Sequence, residues 1–118
     1  YNNWQFKGKL FKSYVSKLKK SNIDVIEIGF RFFKNNTCGK FGLTRESLIK
    51  KIKFNQKQSL AVMINSADLV NEKNFKNKIN NLFVNKSSSK ISLVRFATHL
   101  RDIRKILIGN MFLKLVTG

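Results

Sequence analysis

Glu27, Arg31, Asn65, Arg95 and His99 are the residues of this 118-residue chain whose types and spacing could do chemistry. Each lies in or just after a short apolar run rich in β-branched residues, and such runs read as strands of a helix-covered sheet, buried on both faces. An acid inside such a strand is costly unless a partner compensates it, so Glu27, in the run Ile23–Arg31, raises the first question. Side chains alternate along a strand. With Ile26 and Ile28 against helices, Val25, Glu27 and Gly29 face the other way. With Val94 and Phe96 against helices, so do Leu93, Arg95 and Ala97. An acid and a base then share one interior face. The chemistry open to Arg95 is the holding of an anionic substrate; the competing reading of the two is a structural ion pair filling a polar layer, since buried charges are normally paired. Glu27, Arg95 and His99 are the candidate catalytic residues, and Arg31 and Asn65 the candidate substrate-binding ones.

Other chemistries find less support. No second His, Cys or acid stands at metal-ligand spacing to His99, so the residues themselves indicate no metal site. Cys38 has no nearby His and reads as an ordinary loop thiol. No Ser–His–Asp arrangement can be assembled.

The elements that must position these residues alternate strictly. From Phe6 to Lys20, Leu10, Phe11, Tyr14, Val15 and Leu18 form a helical stripe with lysines opposite. The strand at Ile23–Arg31 follows, then a loop from Phe32 to Leu43 containing Gly39 and Gly42. Thr44 reads as an N-cap, with Glu46 in the first helical turn, where the dipole favours an acid. Leu48, Ile49 and Ile52 form that helix's apolar face, and Asn55–Gln58 a polar turn. Leu60–Asn65 is the second strand. Phe75, Ile79, Leu82 and Phe83 repeat at helical spacing, and Ile91–Ala97 is the third strand. A last helix carries Ile103, Ile106, Leu107 and Met111, with Gly118 suited to its cap. Helix–strand alternation argues a parallel α/β sheet with right-handed crossovers. No glycine-rich phosphate loop follows any strand, which favours part of a (β/α)₈ barrel over a doubly wound dinucleotide fold. Residues 1–118 are read as one incomplete domain, with the chain's two ends looking cut.

Composition sets the outer bounds. Hydrophobic content is 42% with eleven Phe, enough for a core. The formal charge of +18 invites a nucleic-acid reading, but the lysines are spread over every helical segment and no nucleic-acid motif accompanies them. Lys, Asn, Ile and Phe are over-used together and Pro is absent, as AT-rich coding would produce. No apolar run approaches the roughly 20 residues of a membrane span, and no signal peptide is visible. A single cysteine cannot close an internal disulfide and fits a reducing, cytoplasmic setting.

Four stretches, taken together and in order, carry a family resemblance: Tyr1–Phe6 (YNNWQF), Ile23–Arg31 (IDVIEIGFR), Val62–Asn65 (VMIN) and Leu93–His99 (LVRFATH). They resemble the aldolase catalytic domain of the hydroxymethylglutaryl-CoA-lyase-like superfamily, which includes 4-hydroxy-2-oxovalerate aldolases and the isopropylmalate and homocitrate synthases. The resemblance spans essentially the whole chain. The Ile-Glu-Ile-Gly-Phe core belongs to the wider superfamily, and the Tyr-Asn-Asn-Trp opening is more specific to the aldolase-like branch. It implies a (β/α)₈ barrel whose divalent metal, Mg²⁺ or Mn²⁺, acts as a Lewis acid on a 2-keto or hydroxy-keto acid. The family's ligands are the Asp of an Arg-Asp-Gly run, which would lie before Tyr1, and a His-x-His pair, which would lie beyond Gly118. Glu27 matches the strand-two Glu near the metal; Arg31, Asn65, Arg95 and His99 match by context. The expectation is a section of a carbon–carbon lyase or condensing enzyme, inactive by itself and holding no metal tightly. The alternatives are a basic nucleic-acid-binding module and a non-catalytic half-barrel that self-associates through open sheet edges.

Overall fold

A computed structural model of the chain describes residues 3–33, 38–70, 74–105 and 107. Strands β1 (Val25–Phe30), β2 (Ser59–Asn65) and β3 (Ile91–Ala97) form one parallel sheet in the order β1-β2-β3. Helix α1 (Gly8–Lys19) precedes β1, the short helices α2 (Lys40–Leu43) and α3 (Glu46–Lys51) join β1 to β2, and α4 (Phe75–Leu82) joins β2 to β3. The three strands and their parallel, sequential pairing are those the alternating pattern predicts. No described helix is long and apolar enough to cross a membrane.

Both core clusters among the described residues lie on one side of the sheet. Ile26, Leu60, Val62 and Ile91 pack with Leu18 of α1 and Ile49 of α3. Ile64 packs with Leu69 and with Ile79 of α4, and Val94 and Phe83 touch both clusters. Fully burying one such aliphatic side chain contributes about 1.5–3 kcal/mol, so this layer is where the fold's stability concentrates. Helix α1 is anchored at its carboxyl end. Ser21 Oγ and Gln58 Nε2 both donate to the Leu18 carbonyl, at 2.7 and 2.8 Å. They join the Ser21 backbone N–H, which donates to the same carbonyl at 3.0 Å, at the frayed end of the helix.

The other side of the sheet is different from what the apolar runs suggest. Val25 and Leu93 are 46% and 44% exposed. Only β2, flanked by a strand on each edge, is buried along most of its length. The expectation that Ile23–Arg31 is covered on both faces is therefore corrected. A β-branched run supplies strand propensity whether or not a second layer covers it.

Between β1 and α3 the local structure also departs from the sequence reading. Thr44 does not cap α3. It closes α2 in the left-handed region (φ 35°), and its hydroxyl donates to the Phe41 carbonyl at 2.9 Å. Arg45 takes the N-cap position, and Glu46 stays in the first turn of α3. The extra turn α2 lies within what reads as loop. It packs against β1 because Gly29, at φ +150°, carries no Cβ; one placed there would sit 2.2 Å from the Phe41 carbonyl oxygen. A one-residue bulge falls at the same place: Glu27 pairs with Ala61, but Phe30 pairs with Met63. After β3, Leu100–Asp102 makes a 3₁₀ turn that continues helically to Lys105. Asn35, Asn36, Ile106, Met111 and Gly118, which the sequence places in the loop and the last helix, lie outside the described residues.

Candidate functional site

Glu27 and Arg95 meet on the open face of the sheet, on opposite sides of the central strand. β1 and β3 are about 10 Å apart at the usual strand spacing, a span only a long side chain crosses. Ala61 stands level with Glu27, and its methyl group leaves the path clear. Arg95 stands level with Met63, one pleat nearer the carboxyl ends, and reaches diagonally back. Its Nε donates to Glu27 Oε2 at 2.6 Å and its Nη2 to Oε1 at 2.8 Å. Both carboxylate oxygens are thus engaged, while Nη1 makes no hydrogen bond among the described residues. Donating its hydrogen bonds to Glu27 raises the Arg95 pKa; slight burial works against it, and the carboxylate's charge adds to it. A group whose folded pKa is raised loses its stabilisation only as pH climbs through that value, so Arg95 stays charged at every pH of interest. The side chains are 53% and 33% exposed, so water screens the pair. Such a pair is worth about 0.2–1 kcal/mol, near the upper end for bidentate geometry.

The remaining candidates divide. Asn65 ends β2 level with Ala97, on the same face as Met63 and Arg95. Its Oδ1 accepts from Ala67 N at 3.3 Å and so holds the turn that follows. His99 follows β3 and is exposed; its carbonyl accepts from Asp102 N at 2.9 Å, and its imidazole makes no hydrogen bond among the described residues.

Arg31 is on the other side of the sheet and only 2% exposed. Nε donates to the Thr44 carbonyl (3.2 Å), Nη1 to the Leu82 carbonyl (2.6 Å) and Nη2 to Glu46 Oε1 (2.5 Å). The guanidinium also lies over the Phe83 ring, 4.6 Å from its centroid. Strict alternation would place Arg31 beside Glu27. The bulge inserts one residue and turns it into the core. Gly29 is the signal that could have revealed this, because glycine inside a strand often marks a bulge. Glu46 and Ser89 are the partners the sequence reading missed: Ser89 Oγ donates to Glu46 Oε1 at 2.9 Å.

Among the described residues, no three His, Cys, Asp or Glu side chains cluster as metal ligands. Cys38 is a free, partly buried thiol. A second feature borders the site. Between α1 and the edge of β1 lies an aromatic-lined cavity of about 360 Å³, with Glu27 in its wall. No protein-family model matches the chain, and neither characterised proteins nor solved structures yield a match.

Proposed function

We propose that this chain forms one wall of a (β/α)₈ enzyme of the metal-dependent aldolase and lyase type, acting on 2-keto or hydroxy-keto acids in the cytoplasm. The observation that carries the reading is the one-sidedness of the sheet. Helices α1, α3 and α4 contribute to the core on a single face, and the opposite face carries Glu27, Arg95 and Asn65. A doubly wound sheet is covered on both faces, whereas a barrel wall is covered outside and turns its other face to a shared interior. The four sequence stretches that resemble the lyase family agree with that geometry.

Arg95 is then the residue that holds the substrate's carboxylate. Its charge is permanent, its Nη1 is uncommitted among the described residues, and Glu27 fixes the guanidinium plane by accepting from Nε and Nη2. Glu27 thus acts as a positioning residue. Asn65 and His99, at the ends of the neighbouring strands, border the same mouth. The Mg²⁺ or Mn²⁺ implied by the resemblance does not fit the described residues: both Glu27 oxygens face Arg95, and no ligand cluster accompanies them. No step is derived through it.

The test has two parts. The purified 118-residue chain, given a 4-hydroxy-2-keto acid with Mg²⁺ or Mn²⁺, is expected to release no pyruvate; metal-dependent release would overturn the reading of the chain as an incomplete wall. A polypeptide extended at both ends is expected to carry an Arg-Asp-Gly run upstream and a His-x-His pair downstream and to turn over such an acid. Absence of both motifs would remove the lyase assignment.

A further inference from the structure

A cavity of about 380 Å³ lies on the helix side of the sheet, between the residues that follow β1, the junction of α2 and α3, and the end of α4. All three boundaries belong to the described residues, so the cavity needs neither the open edge of β1 nor the open face. Phe32, Phe33, Leu43, Leu82 and Val84 make its walls apolar. Two of these side chains are held from behind. The Phe32 ring stacks on Phe30 with centroids 4.7 Å apart, and Phe33 packs against the cluster of Ile64, Leu69 and Ile79. Three charged residues line the cavity: Arg31, Arg45 and Glu46. Arg31 and Glu46 compensate each other at 2.5 Å, and the first is only 2% exposed. Of the three, Arg45 is left uncompensated. It is exposed, and its side chain makes no hydrogen bond or ion pair among the described residues.

We propose that this cavity binds a small monocarboxylic acid carrying one aromatic ring. Pockets for small ligands are mostly apolar, largely pre-formed, and oriented by a few polar groups. Size sets the scale. An apolar cavity of about 150 Å³ takes a benzene ring, so about 380 Å³ has room for a ring, a short linker and a carboxylate. The ring belongs against Phe32 and Phe33, where offset or edge-to-face contact favours an aromatic body over an aliphatic one of equal area. The carboxylate belongs at Arg45, whose planar fork matches two oxygens. Two arginines against one glutamate leave a single positive charge in the lining, which favours an anion over a neutral or cationic ligand. A dianion gains little more, because the second arginine is already committed to Glu46. The cavity lies across the sheet from Arg95 and is independent of the lyase reading, so a chain that turns nothing over leaves the proposal standing.

Titration of the chain with 3-phenylpropionate, followed by methyl NMR shifts, tests it. The expected result is saturable binding in the millimolar range, usual for a ligand of this size, with shifts at Leu43, Leu82 and Val84. The uncharged 3-phenylpropanamide is expected to bind about fivefold more weakly, the top of the range for a partly exposed ion pair. Acetate, which lacks the ring, is expected not to saturate. Equal binding of acid and amide, saturation by acetate, or no saturation below roughly ten millimolar acid would overturn the proposal. Shifts confined to Met63 and Leu93 would place the acid on the open face and overturn it too. Arg45→Gln removes one charge from a chain at +18, which leaves the general field nearly as it was. It is expected to weaken the acid about fivefold and to leave the amide unchanged. Val84→Asp, at a wall position 45% exposed, sets a second carboxylate against the ligand's own and is expected to weaken the acid more than the amide. Unchanged affinity for the acid in Val84→Asp would overturn the assignment even if Arg45→Gln failed to fold.

Discussion

The two faces of the sheet each carry an arginine–carboxylate pair, and the pairs differ in kind. Arg31 and Glu46 sit under the helices; the guanidinium is 2% exposed, donates to two carbonyls and a carboxylate, and stacks on Phe83. Glu27 and Arg95 lie on the open face, half in water, each the other's one side-chain partner among the described residues. The first pair ties β1 to the start of α3 and the end of α4. The second ties nothing that the parallel ladder does not already hold. A charge committed on every side is a structural part, whereas a charge fixed in orientation and left accessible is available to a ligand. That contrast separates Arg31 from Arg95 as a site residue.

Substitutions can break this comparison. Arg31→Met should have the largest effect on stability, about 3–5 kcal/mol, because it removes the charge partner of the largely buried Glu46, which then keeps only the Ser89 hydroxyl among the described residues, and the donor to two carbonyls. Urea unfolding would measure it, and a loss below about 1 kcal/mol would place the two pairs in one class. Next comes Gly29→Ala, which puts a Cβ against the Phe41 carbonyl at a backbone angle unfavourable to L-residues. We expect roughly 2–3 kcal/mol from strain and displacement of α2, again by denaturation. If this variant were neutral, the bulge would not be what turns Arg31 inward.

Smaller effects sharpen the contrast. Arg95→Met and Glu27→Gln should each cost less than about 1 kcal/mol, and a double-mutant cycle should return a coupling of about 0.2–1 kcal/mol that shrinks with added salt. In an extended, active polypeptide the same two substitutions should lower turnover far more than stability. Equal losses of both would make the open-face pair structural. The smallest expected change is in the pH dependence of stability. The raised Arg95 pKa adds no slope near neutrality, because the charged form persists there in both folded and unfolded chains. Comparing the pH profiles of wild type and Arg95→Met would check it.

How much of this was legible in the sequence follows from the range over which each determinant acts. The strand runs and the helical stripes are local patterns, so the β1-β2-β3 order and the opposition of Glu27 to Arg95 could be read from alternation alone. Alternation holds only until something interrupts it. At Gly29 one extra residue reverses the parity, and Arg31 goes to the core with partners at Glu46, Leu82 and Thr44, positions that no local pattern connects to it. The turn at α2 and the left-handed Thr44 likewise depend on how the segment packs against β1. Exposure of the second sheet face could not be read from the strand runs themselves. An apolar β-branched run fits a pleated surface in the same way whether water or another layer lies over it, so propensity could place the strands while only the arrangement of the helices decided which face stays open.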